Sequence, residues 1–252
     1  MINFYIKDIK ITCCDLDSSS ENAISFIRSN GKNYICVTDA GNLVNAHRNS
    51  PELKGAINNS YISLPDGIPV SKLAKLKGIK DIDRVAGQDF MKEVFKKTSD
   101  TDIKHFFLGD TEDVLKSLKE KLKAEYKINI SGSYSPEFGV WTEETDREII
   151  RRINMTNPDF IWVSLGGGKQ EIWMKNNFMK LDKGLMTGVG AAFRFFTGDI
   201  KRAPVFIQKS GFEWLHRLIQ QPDKMFKRYA TTLPFFLLYS VQELFKINSN
   251  KT

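Results

Sequence analysis

The chain has 252 residues, of which 41% are hydrophobic and 27% charged, and its formal net charge is +7 at pH 7. This length suits one large α/β domain with a small appendage, and the composition excludes wholesale disorder. The positive charge favours an anionic partner such as a diphosphate, an anionic lipid or a nucleic acid. Three cysteines without zinc-site spacing, and an N-terminus without the features of a secretory signal, favour a reduced cytoplasmic setting.

Short apolar runs alternate with amphipathic segments over the first 200 residues. The runs at 34–37, 106–108 and 160–165 predict buried strands, and helical patterns occupy residues 21–28, 70–77, 89–96, 112–126 and 143–155. Such alternation is typical of βαβ units. The sequence therefore predicts a Rossmann-like α/β fold, with a mainly parallel sheet and helices on both of its faces.

The last 50 residues differ in character, because they are basic and their pattern is helical throughout. We therefore place a domain boundary at residue 200, with an α/β domain over 1–200 and a helical appendage over 201–252. Within the appendage, residues 233–239 are apolar and aromatic, yet shorter than the roughly 20 residues that a membrane-spanning helix needs. This segment is either an interfacial amphipathic element or part of a helix packed on the domain.

Small and polar residues follow the apolar runs, at the sheet edge where α/β proteins bind ligands. Leu64-Pro65-Asp66-Gly67 is a turn signal, and Asp66 is either a structural turn residue or a general base held at a strand end. Gly166-Gly167-Gly168 is either a tight turn or a helix start that binds phosphate. The same two interpretations apply to residues 188–192.

Two Asp-x-Asp triplets raise the question of a metal site, since sugar-nucleotide enzymes often hold a divalent ion in this way. The first, at residues 15–17, precedes three serines and indicates a helix cap, and the second, at 81–83, lies in a charged loop. We interpret neither as a metal site. We expect no metal ligands and no cofactor.

Taken in order, these motifs resemble those of the WecG/TagA/CpsF family of bacterial glycosyltransferases, glycosyltransferase family 26. The resemblance covers nearly the whole chain. Its motifs are Val37-Thr38, Leu64-Pro65-Asp66-Gly67, Arg84-Val85-Ala86-Gly87, Phe107-Leu108-Gly109, Gly168-Lys169-Gln170-Glu171, Gly188-Val189-Gly190-Ala191-Ala192-Phe193, Arg202-Ala203-Pro204 and the segment 211–218.

The resemblance implies inverting, metal-independent transfer of a sugar, of N-acetylmannosamine type or another hexose, from a UDP donor. The implied acceptor is a polyprenyl-diphosphate-linked saccharide at the cytoplasmic face of the membrane, in teichoic acid, capsule or exopolysaccharide synthesis. Peripheral membrane association follows from this, and a homo-oligomer is compatible with it. Asp66 is then the catalytic base. We expect the donor site to comprise Thr38, Asn42, Arg84, Gly109, Gly168, Gln170, Gly188 and Gly190, and the acceptor and membrane contacts to be Arg202, Arg217, Lys224, Lys227 and Arg228.

Some positions depart from the family pattern. Thr38-Asp39-Ala40 stands where many members carry Thr-x-Asn, and Arg194 stands where many carry an aspartate. These departures bear on the donor sugar rather than on the reaction class. Two other classes remain open: another nucleotide-binding Rossmann-like enzyme, although no Gly-x-Gly-x-x-Gly with a following acidic residue is present, and a basic nucleic-acid-binding protein.

Overall fold

A six-stranded parallel sheet forms the centre of the protein. The computed structural model describes residues 1–139 and 141–249, without the side chains of residues 224 and 246–249. The strand order is β4-β3-β8-β7-β5-β6, and an antiparallel hairpin, β1-β2, lies beside it. The strands are β1 (Asn3–Ile6), β2 (Ile9–Thr12), β3 (Lys32–Thr38), β4 (Ile62–Pro65), β5 (Lys104–Gly109), β6 (Asn129–Tyr134), β7 (Phe160–Ser164) and β8 (Gly184–Gly188).

Helices connect the strands, and all five helices predicted from the sequence are confirmed. The first begins earlier than predicted, because the Asp15 carboxylate accepts a hydrogen bond from the Ser18 amide (2.8 Å) and so caps the helix at Leu16. The helices are α1 (Leu16–Arg28), α2 (Ala40–Arg48), α3 (Pro51–Asn59), α4 (Ile68–Leu76), α5 (Gly87–Lys97), α6 (Glu112–Glu125), α7 (Glu143–Thr156), α8 (Lys169–Asn177), α9 (Ala192–Thr197), α10 (Val205–Ser210), α11 (Glu213–Gln220) and α12 (Pro222–Ser249).

The sheet is buried on both faces, and the side chains alternate between two cores along each strand. In β7, Ile161 and Val163 join the core formed with α2, α3, α7, α8 and α12, whereas Phe160 and Trp162 join the core formed with α1, α5, α6 and α9. A parallel sheet covered in this way carries continuous apolar runs. The predicted Rossmann-like fold with helices on both faces is confirmed.

The last three helices lie in the segment predicted to be an appendage, and α12 packs along α2. Phe236 and Tyr239 are buried against the domain, Tyr239 packs on His47, and the Arg48 guanidinium lies 3.5 Å from the centre of the Phe235 ring. The interpretation of 233–239 as part of a packed helix therefore holds for one face of α12. Across the described residues, no helix is both long enough and apolar enough to span a bilayer.

Candidate active site

A cleft lies between the carboxyl ends of the strands and the appendage. It consists of two adjoining cavities, a smaller one of about 180 Å³ beneath α11 and α12 and a larger one of about 1030 Å³ along the ends of β5, β7 and β8. Both cavities are bordered by Asp39, Asp66, Val189, Ala191, Arg217 and Arg228. The carboxyl edge of the sheet is thus the candidate site, as expected for an open α/β sheet.

Asp66 occupies the junction of the two cavities. Its backbone amide donates to the Thr38 carbonyl (3.1 Å), which continues the pairing of β3 and β4 by one residue. Gly67 follows with a φ of +89° and caps α4, so the chain turns sharply immediately after the carboxylate. A short, stiff turn therefore presents Asp66 to the cleft.

The Asp66 carboxylate forms no hydrogen bond and no ion pair within the described part of the chain. Burial raises its pKa to about 7, and the negative charges of Asp39 and Glu213 act in the same direction. The positive charges of Arg84 and Arg217 oppose this rise without cancelling it. A carboxylate of this kind takes up and releases a proton near neutral pH, which is the property of a general base.

Arginine side chains from separate elements surround Asp66. Arg84 forms ion pairs with Glu213 of α11 (3.0 Å) and Asp89 of α5 (3.6 Å). Arg217 lies beside the Phe195 ring, and its Nε is buried with no hydrogen-bond partner among the described residues. An unpaired buried guanidinium N–H is costly unless a ligand supplies its acceptor, so Arg217 is the cation best placed to meet an anionic ligand.

Other predicted basic residues have different surroundings. Arg202 is bound by Asp89 through two contacts of 2.5 Å. Its guanidinium therefore holds the start of the appendage against α5, and a role in acceptor binding stays a prediction. Lys227 is exposed on α12. The side chain of Lys224 lies outside the described residues.

Gln170 and Glu171 tie the two glycine-rich turns together. The Gly168 amide donates to Glu171 (2.7 Å), the Gln170 side-chain amide donates to the same carboxylate (2.9 Å), and the Gly190 amide donates to Gln170 Oε1 (3.1 Å). Burial raises the pKa of Glu171 to about 7. Since Glu171 accepts from the Gly168 amide, this N–H is not free for a phosphate, and phosphate binding by the other amides of this helix start stays a prediction.

The predicted donor residues divide into two groups. Asn42, Gly109, Gln170 and Gly190 border the larger cavity and Arg84 borders the smaller one. The remaining three residues are buried and border neither cavity: Thr38, Gly168 and Gly188.

The buried predicted residues support the site from beneath. The Thr38 hydroxyl lies 2.9 Å from the Ser63 hydroxyl in the core, turned towards β4. At Gly188, a Cβ would lie 2.7 Å from Met174 and 2.9 Å from Gln170. Direct donor contact by these residues stays a prediction, and the structure gives them packing roles.

Several residues of the cleft were not predicted. Asp39 follows β3 as Asp66 follows β4, and the same strand-end argument would have found it. Asp110, with a φ of +58°, accepts hydrogen bonds from Arg194 (2.8 and 3.1 Å) on the wall of the larger cavity. Trp141 also borders that cavity, and no sequence pattern indicates this placement.

The comparison with protein families agrees with the motif-based resemblance. The model described as the glycosyl transferase WecG/TagA/CpsF family matches residues 4–250, nearly the whole chain. This match favours a transferase over the two alternative classes. The chain belongs to the WecG/TagA/CpsF family and is a glycosyltransferase of cell-surface polysaccharide synthesis.

Proposed function

We propose that this protein transfers a hexose, of N-acetylmannosamine type or another, from a UDP-sugar to a polyprenyl-diphosphate-linked saccharide, with inversion at the anomeric carbon. The observation that carries the proposal is the unpaired Asp66 carboxylate, with a pKa of about 7, between a large cavity and a set of guanidinium groups. A cavity of about 1030 Å³ lies at the upper end of the usual size for small-ligand sites. A sugar nucleotide fits this description.

The proposed reaction is one displacement. The Asp66 carboxylate accepts the proton of the acceptor hydroxyl while that oxygen forms its bond to the anomeric carbon. The bond from this carbon to the diphosphate oxygen breaks on the opposite face, and UDP leaves with the electron pair. Removal of a general base lowers the rate by roughly 10²- to 10⁴-fold.

We propose that guanidinium groups, rather than a bound metal ion, meet the charge that develops on the leaving diphosphate. Arg217 has an unsatisfied Nε at the junction of the cavities, and Arg84 and Arg228 border the same space. Donors fixed in place before the reaction stabilise such charge efficiently. Transfer should then persist in excess EDTA, whereas loss of activity that Mg²⁺ restores would contradict this part.

We also propose that the appendage, residues 201–252, docks on the cytoplasmic face of the membrane. Most of the large hydrophobic side chains that are exposed in the described chain belong to it, and Lys201, Lys209 and Lys227 are exposed among them. Apolar side chains interspersed with lysines suit an anionic lipid surface. The exposed apolar residues are Val205, Phe206, Phe212, Leu215, Ile219, Phe226, Leu237, Leu238, Val241 and Phe245.

The proposal is tested by incubating the protein with a set of UDP-sugars and a short-chain polyprenyl-diphosphate saccharide. The natural chain should release UDP and extend the acceptor with one donor, and Asp66→Asn should be roughly 10²- to 10⁴-fold slower. Asp102→Asn is the matched control, since Asp102 is exposed before β5, at the opposite edge of the sheet. Thermal stabilisation by NAD but not by UDP would instead favour a dinucleotide enzyme.

A further inference from the structure

The Arg228 side chain extends from helix α12 into the cleft and forms an ion pair with Asp39. Arg228 Nη2 lies 2.5 Å from Asp39 Oδ2. The other carboxylate oxygen of Asp39, Oδ1, accepts a hydrogen bond from the backbone amide of Asn42 (2.7 Å) and so caps helix α2. One side chain therefore starts α2 and holds α12, with each of its oxygens assigned to one task.

Gly41 provides the space that this contact needs. A Cβ at position 41 would lie 3.0 Å from Arg228 Nε and 3.1 Å from Nη2, closer than ordinary packing allows. A glycine inside a helix is less favourable than alanine by about 1 kcal/mol. Its presence in the first turn of α2 is explained by the guanidinium that lies across it. Asp39 and Gly41 together thus form a seat for Arg228.

The seat lies next to the proposed base. Asp39 and Asp66 end adjacent strands, and both border the two cavities. The charged and titratable groups around Asp66 come from every element packed against it: Asp39 from the β3–α2 junction, Arg84 from the segment before α5, Glu213 and Arg217 from α11, and Arg228 and Tyr229 from α12.

We propose that Asp39 is a positioning residue, which seats Arg228 so that α12 closes the cleft beside Asp66. While Arg228 is seated, its positive charge offsets the negative charge that Asp39 presents to Asp66. Docking of the appendage and proton binding at Asp66 are therefore coupled through one ion pair. The link to catalysis rests on the proposed role of Asp66, whereas the seating of Arg228 does not.

Three variants test whether the Asp39–Arg228 ion pair holds α12 in place. Asp39→Asn keeps an oxygen to cap α2 but removes the ion pair, and Arg228→Gln removes it from the other side. Lys227→Gln removes a charge from the adjacent, exposed position of α12 and is the matched control for docking. Backbone hydrogen exchange in residues 225–245 should be roughly 3- to 10-fold faster in the first two variants and unchanged in the control. Unchanged exchange in both ion-pair variants would overturn the proposal.

The titration of Asp66, followed by carboxyl ¹³C resonances and assigned by its absence in Asp66→Asn, provides the second measurement. Asp39→Asn should lower the midpoint, because a negative neighbour is lost. Arg228→Gln should raise it, because Asp39 is left without its counter-charge. If the ion pair acts only as a mechanical clasp, both variants free α12 alike and shift the midpoint in the same direction, which would refute the coupling. Neither measurement needs sugar transfer, so failure here is distinct from failure of the proposed function.

Discussion

Replacement of Asp66 by asparagine should slow sugar transfer by roughly 10²- to 10⁴-fold and at the same time stabilise the fold. The native carboxylate is held in a place where burial and the charges of Asp39 and Glu213 oppose its ionisation. Asparagine has nearly the same shape and carries no charge. The variant therefore loses the base while removing an unfavourable buried charge, which is the pattern expected of a residue kept for chemistry.

The size of the effect follows from the pKa of Asp66, which the fold raises from 3.8 to about 7. A tenfold change in proton affinity is worth about 1.4 kcal/mol. Allowing for partial exposure, the ionised carboxylate lowers the free energy of unfolding by about 2–4 kcal/mol at neutral pH and above. In a chain of this length that corresponds to a Tm difference on the order of 5–10 °C.

The effect of Asp66 on stability depends on pH. Between about pH 4 and pH 7 the folded protein retains a proton that the unfolded chain has released, so this contribution to stability falls as the pH rises through that range. The raised pKa of Glu171 affects the stability of the natural chain and of the Asp66→Asn variant alike, so it cancels when the two stabilities are compared.

Thermal unfolding at about pH 8 and about pH 4 provides the assay. Asp66→Asn should melt at a higher temperature than the natural chain at the upper pH, and the gap should nearly close at the lower one. A variant that is no more stable at the upper pH, or equally stabilised at both, would refute the assignment of a buried, proton-binding carboxylate to position 66.

First, kcat/KM of the natural chain should fall about tenfold per pH unit below about pH 7 as Asp66 becomes protonated, and a flat profile over the acid range would contradict this. Second, Gly109→Ala should destabilise the protein by roughly 1–3 kcal/mol more than Gly78→Ala in urea unfolding. Both glycines have a positive φ, but only at 109 would the added Cβ lie 2.4 Å from a carbonyl oxygen, that of Ser164. Equal destabilisation by the two substitutions would mean that backbone strain at the positive φ, without the contact with Ser164, accounts for the loss of stability. Third, the double variant Leu237→Glu/Val241→Glu should reduce sedimentation with anionic liposomes by at least about tenfold, because two exposed apolar side chains become charged. Undiminished binding would show that the membrane contact lies elsewhere.

The sequence predicts β3, β5 and β7 because these strands are buried on both faces of the sheet and carry continuous apolar runs. The sequence does not predict β6, because its segment Asn129–Tyr134 is polar and half-exposed at the edge of the sheet. The hairpin β1-β2 also went unpredicted, since its strands are only four residues long. Strand character was thus recognised in the longest apolar runs and missed where the apolar run is short, as in β4 and β8, although both of these strands are buried.

The position of the site could be predicted, but its internal pairing could not. Strand-end reasoning and the motif resemblance place Asp66 and Arg84 at the same edge of the sheet. The ion pair of Arg84 with Glu213 joins residues far apart in the chain and depends on how the appendage packs. Gln170 illustrates the same limit. Donor contact by Gln170 stays a prediction, whereas the hydrogen bonds of its side chain with Gly190 and Glu171, at the border of the larger cavity, could not be predicted from the sequence.

The most direct test is the anomeric configuration of the product formed from the one UDP-sugar that the protein accepts, together with the rate of the Asp66→Asn variant. The account predicts a glycoside with the configuration opposite to that of the donor and one UDP released per sugar transferred. It also predicts a variant that is folded, more stable at about pH 8 and slower by roughly 10²- to 10⁴-fold. A product with retained configuration, or an asparagine variant with a nearly native rate, would contradict it.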